Sequence, residues 1–227
     1  MRNVAIITAA GFGKRMGLKQ PKQYLELNGK PILCHTLEKF EQAKLIDGIV
    51  LVTDMASLDI VKNDILKRFP SPKVKWVVTG GAKRQDSVAA GLRSTPLGCE
   101  TVCVHDGVRP FVTPELIDKS VEIAQNSGAV IVAIPVKDTI KRVDEEGKIV
   151  GTMERAGLWR AQTPQTFKYE TLEMAMNQAI VEGFYGTDEA MLVERLGHEI
   201  TILSGSERNI KITTPEDLKI AEAFVNK

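Results

Sequence analysis

The feature that most constrains this chain is an alternation. Short runs of Val and Ile, almost unbroken by polar residues, take turns with segments of helical period. The runs are Val4-Ala5-Ile6-Ile7, Gly48 to Thr53, Val74 to Val78, Thr101 to His105 and Ala129 to Ile134. Between them, Leu33, Leu37 and Phe40 recur at i, i+4 and i+7 behind Pro31. Leu58, Val61, Ile65 and Phe69 mark a second helix stopped by Pro70-Ser71-Pro72, and a third spans Asp86 to Arg93. Pro114 opens another, with Ile117, Val121 and Ala124 on one face. Strands this apolar are covered on both sides, so the expected fold is α/β, a doubly wound, mainly parallel sheet. Such sheets bind ligands at the carboxyl ends of their strands. The segments following each strand are therefore where chemistry is sought.

The alternation breaks after Pro135. Residues 136–163 contain Gly147, Gly151 and Gly157, two short apolar stretches and no helical period. They are expected to form a protruding β-arm within a single domain spanning 1–227. Helical period returns at Leu172, Ala175, Met176 and Ala179, and Thr187 is expected to cap the next helix. A late strand from Ile200 to Leu203 and a final helix opened by Pro215, with Leu218, Ala221 and Val225 inward, complete the reading.

Charge and cysteine content narrow the function. Thirty basic and twenty-nine acidic side chains leave a net charge of +1, so no bulk electrostatic attraction to nucleic acid or membrane is expected. Three cysteines do not make a disulfide framework. The N-terminal apolar run is too short for a signal-peptide core, and no stretch of about 18 apolar residues occurs. A cytoplasmic protein is expected. Cys99, Cys103 and His105 lie close in sequence but lack a fourth ligand for zinc. His35 and His198 have no Ser or Cys partner at a spacing that suits nucleophilic catalysis, and the three histidines are expected to be structural or exposed.

Against this neutral background one segment stands out. Ala9-Ala10-Gly11-Phe12-Gly13-Lys14-Arg15-Met16-Gly17, with Pro21-Lys22 beyond, directly follows the first strand. Glycines let the backbone approach a ligand, and their N–H groups can point at phosphate oxygens. Five cations (Arg2, Lys14, Arg15, Lys19 and Lys22) precede the first acid, Glu26. An anionic, triphosphate-like ligand is implied. The loop lacks the GxxxxGK[ST] spacing of a P-loop. It also lacks the third glycine and the downstream acid of a dinucleotide fingerprint, because Met16 stands where that glycine belongs. A dinucleotide-binding oxidoreductase and a non-catalytic nucleotide-binding regulator remain the readings from other classes.

The AAGxGxRM…PK pattern resembles the signature loop of sugar-phosphate nucleotidyltransferases. Further segments narrow the likeness: Gly80-Gly81-Ala82-Lys83-Arg84-Gln85-Asp86-Ser87-Val88, Val104-His105-Asp106-Gly107-Val108-Arg109-Pro110-Phe111, Asp138-Thr139, Thr163-Pro164-Gln165, Thr187-Asp188-Glu189-Ala190 and Asn209-Ile210-Lys211-Ile212-Thr213. In this order they resemble the methylerythritol-phosphate cytidylyltransferase family of the non-mevalonate isoprenoid route, from Val4 to about Ala221. The resemblance implies that CTP and 2-C-methyl-D-erythritol 4-phosphate give the cytidine diphosphate conjugate and pyrophosphate. Relatives that use ribitol 5-phosphate supply the alternative acceptor.

The same resemblance implies roles. Arg15, Lys22 and Lys211, the last from the end of a late strand, would stabilise the reacting phosphorus. Ala9, Ala10, Gly11, Phe12, Gly13, Gly80, Gly81, Ser87, Asp106 and Gly107 would bind CTP, and Asp106 would hold Mg²⁺. Asp106, Arg109, Thr139, Arg155, Thr163, Thr187 and Lys211 would bind the acceptor. Thr139 and Arg155 would reach from the arm into the neighbouring subunit of a homodimer.

Overall fold

A computed structural model describes residues 1–11 and 21–225. Its centre is a seven-stranded sheet built from β1 (Asn3–Ala9), β4 (Gly48–Thr53), β5 (Val74–Thr79), β6 (Thr101–Asp106), β7 (Ala129–Pro135), β10 (Trp159–Lys168) and β11 (Thr201–Ser204). The order across the sheet is β11-β7-β10-β6-β1-β4-β5. Among the described residues β10 alone runs against the others. Two small pairs lie outside this sheet, β2 (Glu26–Leu27) with β3 (Lys30–Pro31) and β8 (Lys141–Val143) with β9 (Ile149–Thr152).

Strand alternation explains the layers. Val4 and Ile6 of β1 face one side, Ala5 and Ile7 the other. The first side is covered by α4 (Arg84–Arg93) and α6 (Tyr169–Val181), through Val88, Leu92, Leu172 and Met176. The second is covered by α1 (Ile32–Gln42) and α5 (Pro114–Ser127), through Leu33, Leu37, Phe40, Ile117 and Val121. Those of α1, α5 and α6 are residues whose spacing marks these helices in the sequence. Each fully buried Leu, Ile or Phe is worth about 1.5–3 kcal/mol, so both faces must be covered. A third cluster, Leu27, Ile32, Val108, Ile212 and Ala221, seats α8 (Pro215–Val225).

The edges differ from the sequence reading in four places. The helix after β4 is interrupted: α2 (Leu58–Ile60) and α3 (Leu66–Arg68) flank a π-helical turn, Val61–Ile65. The sequence pattern marks no strand at 164–168, yet β10 runs to Lys168 and begins at Trp159, inside the segment expected to form the arm. Hydropathy hides it because its buried residues include Gln162, Thr163, Gln165 and Thr166, whose polar groups are hydrogen-bonded inside the protein. The cap of α7 (Glu189–Arg195) is Asp188, whose carboxylate accepts from Met191 N–H at 3.0 Å; the Thr187 hydroxyl instead faces Met191 Sδ. Lys211 is not on a strand. It lies in coil between β11 and α8, tied down where Ile212 N–H donates to Val108 O at 2.9 Å.

The sheet starts at β1, winds outward through β4 and β5, then returns to the other side of β1 with β6. This reversal opens a crevice between the carboxyl ends of β1 and β6. Thr8 of β1 pairs with Asp106 of β6 there.

Candidate active site

The cleft at that reversal gathers residues from four parts of the chain. Ala9, Ala10 and Gly11 form one wall with Lys22, and Gly81 and Ser87 form another. Arg84, Asp106 and Lys211 close it. Phe12, Gly13 and Arg15 lie outside the described residues.

Glycine at 80 and 81 is a packing requirement. A Cβ on Gly80 would sit 2.5 Å from Ser87 Oγ, and one on Gly81 would sit 2.3 Å from Asp86 Cβ. Ser87 Oγ accepts from Gly81 N–H at 3.3 Å and donates to Lys83 O at 3.2 Å, which pins this loop to the start of α4. Gly107 turns the chain behind the cleft. Its N–H donates to Thr8 O and its carbonyl accepts from Thr36 Oγ1, so both backbone groups have protein partners.

Asp106 is the electrostatic centre. Its side chain is 6% exposed and meets three cations: Arg84 Nε at 3.0 Å from Oδ1, and Arg109 Nε at 3.2 Å and Lys211 Nζ at 3.0 Å from Oδ2. Burial alone would push its pKa up. Arg84, Lys211 and Arg109 outweigh burial and hold the carboxyl well below the ordinary aspartate range, so it stays ionised.

Arg84 is anchored from behind. Its Nη1 donates to both oxygens of Glu189, at 2.7 and 2.8 Å. Glu189 is 1% exposed, and burial pushes its pKa up against the pull of Arg84. The cations Arg84, Arg109 and Lys211 against Asp106 and Glu189 leave this cluster at 3 − 2 = +1. Lys22 and Lys83 line the same cleft and raise its positive character further. Sequence pattern gives Arg84 and Glu189 no role beyond lying in the GGAKRQDSV and TDEA segments, because their partnership spans 105 residues.

Three of the acceptor-binding candidates lie elsewhere in the single chain. Thr139 and Arg155 are exposed on the arm, where Arg155 Nη1 donates to Lys137 O at 2.6 Å. Thr187 is exposed beside α7. Arg109 does reach Asp106, and its Nη1 donates to Asn209 O at 2.8 Å. Thr163 lies behind Asp106 and accepts from its backbone N–H at 3.2 Å. His105 is fully buried, and burial drives its pKa down to about 3, so the ring is neutral. Cys34, Cys99 and Cys103 are buried free thiols; burial raises Cys34 and Cys103 to about 12 and Cys99 to about 11.

Ala10 and Gly11 at the carboxyl end of the first strand, and a buried aspartate wrapped by cations at the topological reversal of a mainly parallel sheet, suit a nucleotidyltransferase. The family model described as 2-C-methyl-D-erythritol 4-phosphate cytidylyltransferase matches residues 3–227. The chain belongs to that family. It is 49% identical to the protein of that name from Geotalea uraniireducens, over 99% of this chain and 97% of the relative. The crystal structure of 4-diphosphocytidyl-2C-methyl-D-erythritol synthase from Anaerococcus prevotii is similar with a TM-score of 0.88 and 34% identity, covering 100% of this chain and 96% of that one. That of the cytidylyltransferase from Thermus thermophilus gives 0.80 and 32%, covering both chains fully.

Proposed function

We propose that this chain transfers the cytidylyl group of CTP to the phosphate of 2-C-methyl-D-erythritol 4-phosphate. An oxygen of the acceptor phosphate attacks the α-phosphorus of CTP. The bond from that phosphorus to the bridging oxygen of the β-phosphate breaks, and pyrophosphate leaves. The observation that carries this reading is the Asp106 cluster in the cleft beside the Gly-bearing loop, in a chain of this family. Relatives named for methylerythritol phosphate weigh against ribitol 5-phosphate as the acceptor.

Such a transfer needs alignment and positive charge where negative charge accumulates, and no protein nucleophile. Lys22 and Lys211, which line the same cleft, supply that charge, with Arg15 assigned the same task from the loop. Each charge contact in a water-poor site is worth about 3–4 kcal/mol of barrier. Asp106 holds Arg84, Arg109 and Lys211 in place. An incoming triphosphate competes for them.

Mg²⁺ fits this donor set as an ion that arrives on the triphosphate. Among the described residues no group of three His, Cys, Asp or Glu could hold it. Asp106 remains ionised and has three of its roughly four acceptor positions filled, which leaves one for a metal whose other ligands are phosphate and water. The ion would neutralise phosphate charge.

The assembly is proposed to be a homodimer joined by the arms, in the cytoplasm and without nucleic-acid partners. In the single chain Ile140, Val143, Ile149, Val150, Met153 and Trp159 are 38–65% exposed, an apolar surface that calls for cover. Among the described residues no helix is long and apolar enough to cross a membrane. The functional test is pyrophosphate release over a grid of CTP, UTP and ATP against methylerythritol 4-phosphate and ribitol 5-phosphate. CTP with methylerythritol 4-phosphate should lead. A faster reaction with ribitol 5-phosphate would replace the acceptor assigned here.

A further inference from the structure

Asp106 of β6 and Lys211 of the coil before α8 line the cleft, and Arg109, in the turn after β6, pairs with Asp106. Three polar residues behind them are completely or almost completely buried: His105 and Asn209 at 0% exposure and Thr163 at 4%. Their contacts form a circuit. Asp106 N–H donates to Thr163 Oγ1 at 3.2 Å. Thr163 Oγ1 lies 2.9 Å from His105 Nδ1, and His105 Nε2 lies 3.3 Å from Arg109 O. Arg109 Nη1 donates to Asn209 O, and Asn209 Nδ2 donates to Thr163 O at 2.8 Å, which closes the ring.

The proton inventory has one solution for an uncharged ring. A carbonyl oxygen only accepts, so His105 Nε2 carries the hydrogen directed at Arg109 O. Nδ1 is then bare and accepts from the Thr163 hydroxyl. That hydroxyl keeps a lone pair for Asp106 N–H. Phe40 packs on the His105 ring, with centroids 5.0 Å apart and planes tilted by 55°, which fixes its plane.

We infer that His105, Thr163 and Asn209 are positioning residues that set the relative placement of Asp106, Arg109 and Lys211. Lys211 is included because it follows Asn209 by two residues. The Thr163 hydroxyl serves this circuit rather than the acceptor substrate. The inference rests on the cleft being the nucleotidyl-transfer site. A displacement of about 1 Å among aligned groups costs about a hundredfold in rate, so the circuit bears on turnover more than on ground-state binding.

Two readouts test it. Thr163→Val should lower kcat tenfold to a hundredfold while the KM values of CTP and acceptor stay within threefold, and Thr163→Ser should restore kcat to within threefold of wild type. A rise in acceptor KM with kcat preserved would make Thr163 a substrate contact and overturn the inference, as would wild-type kinetics in Thr163→Val. The second readout needs neither activity nor a folded variant. In the ¹⁵N spectrum of the wild-type protein at neutral pH, His105 should show a bare Nδ1 and a protonated Nε2. The opposite tautomer would break the circuit. Failure of the functional assignment itself would look different, as a wild-type enzyme inactive with this substrate pair.

Discussion

Replacing Glu189 with Gln keeps the volume and one acceptor oxygen but deletes the charge that anchors Arg84. The cluster charge rises from +1 to +2, and Asp106 is left to serve three cations alone. Breaking a buried ion pair from one side typically costs about 3–5 kcal/mol, because the remaining charge stays buried without compensation. Two features reduce that here. The Arg84 side chain is 28% exposed and keeps its bond to Asp106, and the new amide oxygen still accepts. A loss of about 1.5–3 kcal/mol is the expected net. For a chain of this size 1 kcal/mol moves Tm by about 2–4 °C, so Tm should fall by about 3–12 °C. Thermal unfolding followed by circular dichroism measures it, with kcat recorded in parallel. A Tm within 2 °C of wild type would show that the Glu189–Arg84 contact is not a supporting strut.

Acid stability isolates Asp106. Its folded pKa lies below the ordinary 3.8, so its contribution is complete above about pH 4 and is lost as pH falls through the folded value. The urea stability difference between pH 6 and pH 3 should therefore shrink in Asp106→Asn, and an unchanged difference would contradict the charge cluster. For Lys22→Ala, kcat should drop about a hundredfold or more with a much smaller change in KM for CTP, since its charge matters most in the transition state. Weaker CTP binding at unchanged kcat would refute that role. For the arm, dimers mixed from Lys22→Ala and Arg155→Ala chains should regain activity, because one of their two sites carries neither lesion; mixed dimers without activity would refute the shared site.

The sequence made the sheet and its helices legible because their signal is local. Val4 to Ile7 must be buried on both faces, and Leu33, Leu37 and Phe40 must share one. The Gly-bearing loop and Asp106 were legible for a similar reason, each lying directly behind an apolar strand. What stayed hidden depends on distant partners. β10 looks like a loop because Gln165 and Thr166 are polar, yet they are buried against Asp188 and Ser120. Arg84 reads as an ordinary helix-start cation until folding sets it between Asp106 and Glu189. Lys211 lines the cleft from coil rather than from the end of a strand, because its backbone is tied down through the hydrogen bond of its neighbour Ile212 to Val108 and not through a strand ladder.

The central claim is a direct transfer organised by charge, without a covalent nucleotidyl-enzyme. The stereochemical course at phosphorus tests it most directly. CTP carrying sulfur at the α-phosphorus, in one configuration, would be converted with methylerythritol 4-phosphate and the product configuration determined by ³¹P NMR. A single in-line displacement predicts inversion. Retention would require two displacements through a protein nucleophile, which contradicts the account.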